Sequence, residues 1–157
     1  LNYNQYNNNT KMRKIIKKPH LFFFGLILIS ILLSFFFKNE EVSINYYGSS
    51  IVAQLKYVYY LSAFFFCLIG FNYFSLHWAN KTPKKSLTLI HIVLQVLSLI
   101  LLIARNNWNW LHAVNQTNKG IVLDNSNFIL FISFLIFLLA TFFHLINFFS
   151  SLLSKSK

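Results

Sequence analysis

Residues 49–74 read SSIVAQLKYVYYLSAFFFCLIGFNYF. A run this apolar belongs in the hydrocarbon of a bilayer, yet Gln54 and Lys56 stand near its beginning. The fold turns on whether the segment can cross a membrane with both in place. Counted from Ile51, Lys56 falls roughly 8 Å inside a helix at about 1.5 Å per residue. Its four-carbon stem can carry the ammonium back to the headgroups, and Gln54 lies shallower still. The segment therefore reads as a span over 51–74, and the two polar residues need no functional reason.

Three further runs, 20–37, 87–104 and 127–153, come close to the ~20 residues that cross the hydrocarbon. The AVILMFWYC set makes up 56% of the 157 residues, Phe alone occurs 19 times, and charged residues are 11%. This is not a soluble composition. The expectation is an all-α membrane protein with four transmembrane helices in 19–154, following a disordered basic leader over 1–18.

A net charge of +11 suggests nucleic acid until its distribution is read. Lys11, Arg13, Lys14, Lys17 and Lys18 precede the first run; Lys81, Lys84 and Lys85 separate the second from the third; Lys155 and Lys157 follow the fourth. The other connections hold Lys38, Arg105 and Lys119 with all three acids, Glu40, Glu41 and Asp124. Such alternation is the positive-inside pattern. It puts both termini and the 76–86 loop on the inner side, cytoplasm or matrix. The partner it implies is the lipid bilayer and not nucleic acid.

The opening LNYNQYNNNT is polar and aperiodic, and Met12 begins a segment that makes a sensible start. Residues 1–11 are expected to be an upstream extension, or translation begins at a non-standard codon. No small-residue cleavage site follows the first run, so it reads as an uncleaved span. The heavy use of Phe, Ile, Asn, Lys and Tyr resembles an AT-rich coding bias, as in organelle genomes. Cys67 is the only cysteine, which excludes an intramolecular disulfide and reads as a buried packing residue.

Thr82-Pro83 has the form of a helix start, and Asp124 or Ser126 of another. Trp78, Trp108 and Trp110 fit interfacial belts, and NNWNWLHAV, 106–114, a short interfacial helix. Each span carries a sparse stripe of small or polar residues: Ser30 and Ser34; Ala63, Cys67 and Gly70; His91, Gln95 and Ser98; Thr141, His144 and Asn147. Lipid penalises exposed polar groups, so the stripes should turn inward as a weakly polar seam between two helical hairpins.

His91 and His144 are the candidate site. Counting from the inner ends of their helices puts them at similar depth, where they can face each other. Two imidazoles on facing helices can hold haem iron axially or help bind a metal. The simpler reading is hydrogen bonding between helices, with Gln95 or Asn147 as partners. His20, His77 and His112 read as interfacial. No acid lies in any span, no glycine-rich phosphate loop exists and no triad is recognisable, so neither enzyme activity, a metal site nor a resident cofactor is expected. A transporter lacks support, since broken helices and intramembrane charges are missing.

The stretch VAQLKYVYYLSAFFFCLIGF resembles a segment of the haem-copper oxidase subunit I family, cytochrome c oxidase polypeptide I. There V-A-H-F-H-Y-V-L-S is followed by an apolar stretch and G-G-F. Val52, Ala53, Tyr57, Val58, Gly70 and Phe71 match. The family's next helix begins K-I-H-F, whose I-H falls on Ile90 and His91, a histidine that is not a haem ligand there. Specific identities cover about 51–91; the remainder matches in hydropathy, including the basic tail. The four spans would then be similar to the C-terminal third of subunit I. The family's two haem-ligand histidines align with Gln54 and Lys56. A protonated lysine has no lone pair to give, and an amide is a poor axial ligand. The resemblance thus implies a non-catalytic accessory or structural subunit of a respiratory complex, beside other membrane subunits. Its place would be the mitochondrial inner membrane, or alternatively a bacterial cytoplasmic membrane. The alternative function is a haem-binding electron-transfer module using His91 and His144.

Overall fold

The computed structural model describes residues 18–46, 49–105 and 125–154. Helix α1 spans Pro19–Phe36; strands β1, Glu41–Tyr46, and β2, Ser49–Gln54, follow; then come α2, Leu55–Trp78, α3, Lys85–Ala104, and α4, Asn125–Leu152. All four helices are long and apolar enough to cross a membrane. The leader 1–17, the 106–114 segment with Trp108, Trp110 and His112, Lys119, Asp124, the side chain of Ser126 and the tail 155–157 lie outside the described residues.

The architecture departs from all-α at residues 49–54. Residues 51–54 are not helical: β2 pairs antiparallel with β1 in the register Glu41↔Gln54, Val42↔Ala53, Ile44↔Ile51. Runs with Val42, Ile44, Ile51 and Val52 suit extended chain because β-branched side chains are stiff and pack well there. The second span therefore begins at Leu55. Gln54 is the extended residue before it, and Lys56 lies in the first helical turn, not 8 Å inside. The Lys56 ammonium stands 5.1 Å from the centre of the Tyr57 ring, so no long snorkelling reach is needed.

α1 packs against α2 and α3 against α4, giving the two expected hairpins, with backbone contact between them mainly through α2 and α4. The small face of α2 receives α1. Ala63 and Gly70 are buried there, while Cys67 is only half-buried rather than buried. A Cβ at Gly70 would lie 2.7 Å from Phe24 Cε1 and 2.8 Å from Cδ1. Gly70→Leu should therefore lower stability by about 1–3 kcal/mol through overpacking. Thermal unfolding in detergent reads this, and Phe24→Ala in the same chain should recover much of the loss.

α2 ends in a left-handed cap. Asn80 takes φ 53°, the Lys81 N–H donates to Leu76 O at 2.9 Å, and the Asn80 N–H donates to His77 O at 3.2 Å. This is the Schellman pattern, with asparagine in the position that usually favours glycine. The Lys81 ammonium then donates to the carbonyls of Leu152 and Ser154, tying the α2–α3 turn to the end of α4. A cation there suits the negative end of a helix.

Thr82 and Pro83 do not start α3. The residue before its first turn is Lys84, without a side-chain cap of its own. Instead the Lys84 N–H donates to Asn147 Oδ1 of α4 at 2.9 Å.

The core is aromatic where the helices meet, with Phe23, Tyr59, Phe66 and Tyr73 essentially inaccessible. The perimeter is apolar and exposed, as Leu28, Phe35, Phe64, Phe71, Phe142 and Phe149 illustrate. Trp78 is exposed at the end of α2. A cavity of about 540 Å³ separates the hairpins near the β-hairpin end, lined by Val58 and Phe65 of α2, Ser98 and Leu102 of α3, and Leu130 and Phe137 of α4.

Candidate functional site

Polar residues that a bilayer would penalise converge in the half of the bundle nearer the α2–α3 turn. The α3 stripe Thr88, His91, Gln95 and Ser98 follows the i, i+3, i+4 spacing of one helix face, and all four are buried. His144 and Asn147 do the same on α4. α2 adds Asn72 and Tyr73.

The two candidate imidazoles meet. Their ring centres are 4.9 Å apart with planes tilted by 34°. Each ring is held through one nitrogen. The Tyr73 hydroxyl and His91 Nδ1 share a 3.0 Å hydrogen bond, and Asn72 Nδ2 donates to His144 Nε2 at 3.2 Å. Phe23 of α1 stacks on His91 at 4.8 Å and 13°, while Tyr73 presents an edge to His144 at 4.8 Å and 61°. All four helices thus contribute to one buried layer.

The partners are not those read from the sequence. Neither Gln95 nor Asn147 holds an imidazole. Both polar atoms of Gln95 are buried without a protein partner, as are His91 Nε2 and His144 Nδ1. Asn147 instead joins α4 to the start of α3: its Nδ2 donates to Thr88 Oγ1 at 2.8 Å, and Thr88 Oγ1 donates to Lys84 O at 3.0 Å. Towards the other end, Ser98 Oγ donates to Ser133 O at 2.9 Å and Ser133 Oγ donates to Ser98 O at 2.8 Å. That pair closes on itself.

Asn72 and Tyr73 are the residues that sequence reasoning missed. The available signal was Asn72, an amide within a span and hence costly unless it has a partner.

A second imidazole pair lies near the α2–α3 turn, where His20 and His77 stack at 5.3 Å and 23°. His77 is exposed as expected of an interfacial residue, whereas His20 is buried at 7% exposure. Gln54 and Lys56 stand at the opposite end, away from this cluster, in β2 and the first turn of α2.

The main pair does not fit axial haem ligation as packed. With nitrogens about 2 Å from a metal, trans ligands would hold their ring centres about 6 Å apart across a macrocycle, and here they stand at 4.9 Å. Phe23 and Tyr73 also crowd the flanks. Carboxylate acid–base chemistry has no carrier in the cluster, because Glu40 and Glu41, the acids among the described residues, lie at the β-hairpin end. The described residues contain no group of three or more His, Cys, Asp or Glu arranged for a metal.

Four apolar helices and an inward polar layer fit an integral membrane protein of the helical-bundle class. No family model, curated protein or solved structure matches the chain.

Proposed function

We propose that the chain is a non-catalytic, accessory or structural subunit of a membrane complex, related to the C-terminal part of oxidase subunit I and working beside respiratory subunits. The observation that carries this reading is the chemistry at positions 54 and 56. Where the resembled family has two haem-ligand imidazoles, this chain has an amide at the end of a strand and an ammonium in the first helical turn. The cluster around His91 supports it too, since most of its hydrogen bonds join the helices to one another, as structural polar groups in membranes do. The apolar perimeter suits lipid or neighbouring spans. The charge alternation favours both termini on the inner side, in a mitochondrial inner membrane or a bacterial cytoplasmic one.

Gentle solubilisation of native membranes tests the proposal. The tagged chain should co-migrate with respiratory subunits on a native gel in fixed stoichiometry. Migration as a lone polypeptide, with the respiratory complexes intact in the same extract, would count decisively against it.

A further inference from the structure

We propose that His91, His144 and Gln95 form a site for one d10 cation, Cu+ or Zn2+. This stands on the buried layer alone and is independent of the subunit reading above.

The unpartnered atoms come first. Buried polar atoms without hydrogen bonds are rare, and each needs a reason. Here His91 Nε2, His144 Nδ1 and both amide atoms of Gln95 lack partners, on side chains exposed by 0%, 1% and 0%. Gln95 lies one turn from His91 on the same face of α3, where i, i+4 side chains are neighbours.

The spacing is the second argument. With about 2.0–2.1 Å from nitrogen to metal, imidazoles on adjacent corners of a tetrahedron have centres about 5 Å apart. The observed 4.9 Å is close to that centre-to-centre spacing, which a trans pair would exceed. The Gln95 carbonyl oxygen would take a third corner.

The outer partners are the third. A ligating histidine characteristically donates its other N–H to a neighbouring group, which fixes its tautomer. His91 Nδ1 faces the Tyr73 hydroxyl and His144 Nε2 faces the Asn72 amide. In the present placement Asn72 Nδ2 donates to His144 Nε2, which leaves the proton of the neutral ring on Nδ1. Turning the Asn72 amide over lets Oδ1 accept from Nε2–H, and Nδ1 then offers its lone pair. The swap hardly changes the shape of the contact. Binding to neutral rings releases no proton.

The groups in contact with the pair are Phe23 from α1, Asn72 and Tyr73 from α2, and Phe148 from α4. None is a carboxylate. An uncharged donor set in a buried layer favours the monocation, because burying charge is costly. Cu+ should therefore bind more tightly than Zn2+.

The test uses the full chain in phosphatidylcholine nanodiscs, stripped by chelator and titrated with Zn2+ alone or with Cu+ alone under reductant. Elemental analysis should find one ion per chain, with two imidazole nitrogens in its X-ray absorption spectrum. His91→Leu and His144→Leu should abolish stoichiometric binding. Asn72→Leu, which touches no ligand atom directly, should weaken it by about 10–100-fold. Asn72→Asp, able only to accept from Nε2–H, should tighten it, which keeps the test decisive if a leucine variant fails to fold. Absence of a stoichiometric ion would overturn the proposal and leave the unpartnered atoms to internal water. Affinity unchanged by the His91→Leu and His144→Leu pair would overturn it equally, placing the ion at His20, His77 or His112.

Discussion

Glu40→Ala is expected to destabilise the chain by about 3–5 kcal/mol, the cost of stranding a buried charge. The Arg105 Nη2 donates to Glu40 Oε2 at 2.6 Å, with the arginine side chain 5% exposed and the glutamate 34%. Arg105 follows the last turn of α3, where a cation complements the helix dipole, and it anchors that helix to the link between α1 and β1. The Glu40 carbonyl also accepts the Leu55 N–H at 2.9 Å, so the same residue fixes the start of α2. Removing the carboxylate leaves a guanidinium inside the protein without its counter-charge. Removing Arg105 leaves Glu40 one-third exposed and able to rehydrate, so Arg105→Leu should cost less, about 1.5–3 kcal/mol for a charged hydrogen bond. The asymmetry is the sharp part of the prediction. Equilibrium unfolding in mixed micelles should rank Glu40→Ala below Arg105→Leu, with the double variant near Arg105→Leu rather than at the sum. The reverse ranking would mean that the ion pair is solvated and peripheral.

The Arg105–Glu40 pair also marks what hydropathy could not reveal. Four helices long and apolar enough to cross a membrane were legible, because lipid leaves the backbone no partner but itself and a run of ~20 apolar residues suits a helix there. The expected 20–37 and 87–104 accordingly fall within two residues of Pro19–Phe36 and Lys85–Ala104. The start of the second crossing was not legible. Ile51, Val52 and Ala53 are as apolar as the helix they precede, and a short apolar run does not distinguish strand from helix. What decides is pairing with Glu41–Tyr46, a relation between two segments rather than a property of either. The candidate site divides in the same way. Counting turns brought His91 and His144 to one depth, since depth depends on each helix alone. Their partners depend on how α2 is rotated against α3 and α4, and an apolar run with few polar residues carries little record of that rotation. Gln95 and Asn147 are neighbours of the histidines along the chain, whereas Asn72 and Tyr73 are neighbours in space.

Asn147→Leu carries the other large expected effect, a loss of about 2–3 kcal/mol, and it tests which residue begins α3. Asn147 is inaccessible, accepts the Lys84 N–H and donates to Thr88 Oγ1. A helix start leaves several N–H groups without intrahelical partners, and here a side chain from a different helix takes one of them. Leucine fills similar volume but accepts and donates nothing, so the Lys84 amide and the Thr88 hydroxyl each lose a partner. Because α3 also carries His91, loosening its first turn should disturb the contact between the imidazoles. Thr82→Ala and Pro83→Ala sit outside the helix and should stay within about 0.5 kcal/mol of the parent. Amide hydrogen exchange in nanodiscs separates the cases. In Asn147→Leu the Lys84 amide and the first turn of α3 should exchange at least ten times faster, about 1.4 kcal/mol of lost protection, while the α2 cap at Asn80 and Lys81 stays protected. Faster exchange in Thr82→Ala, with none in Asn147→Leu, would return the start of α3 to its own sequence and remove α4 from the role given to it.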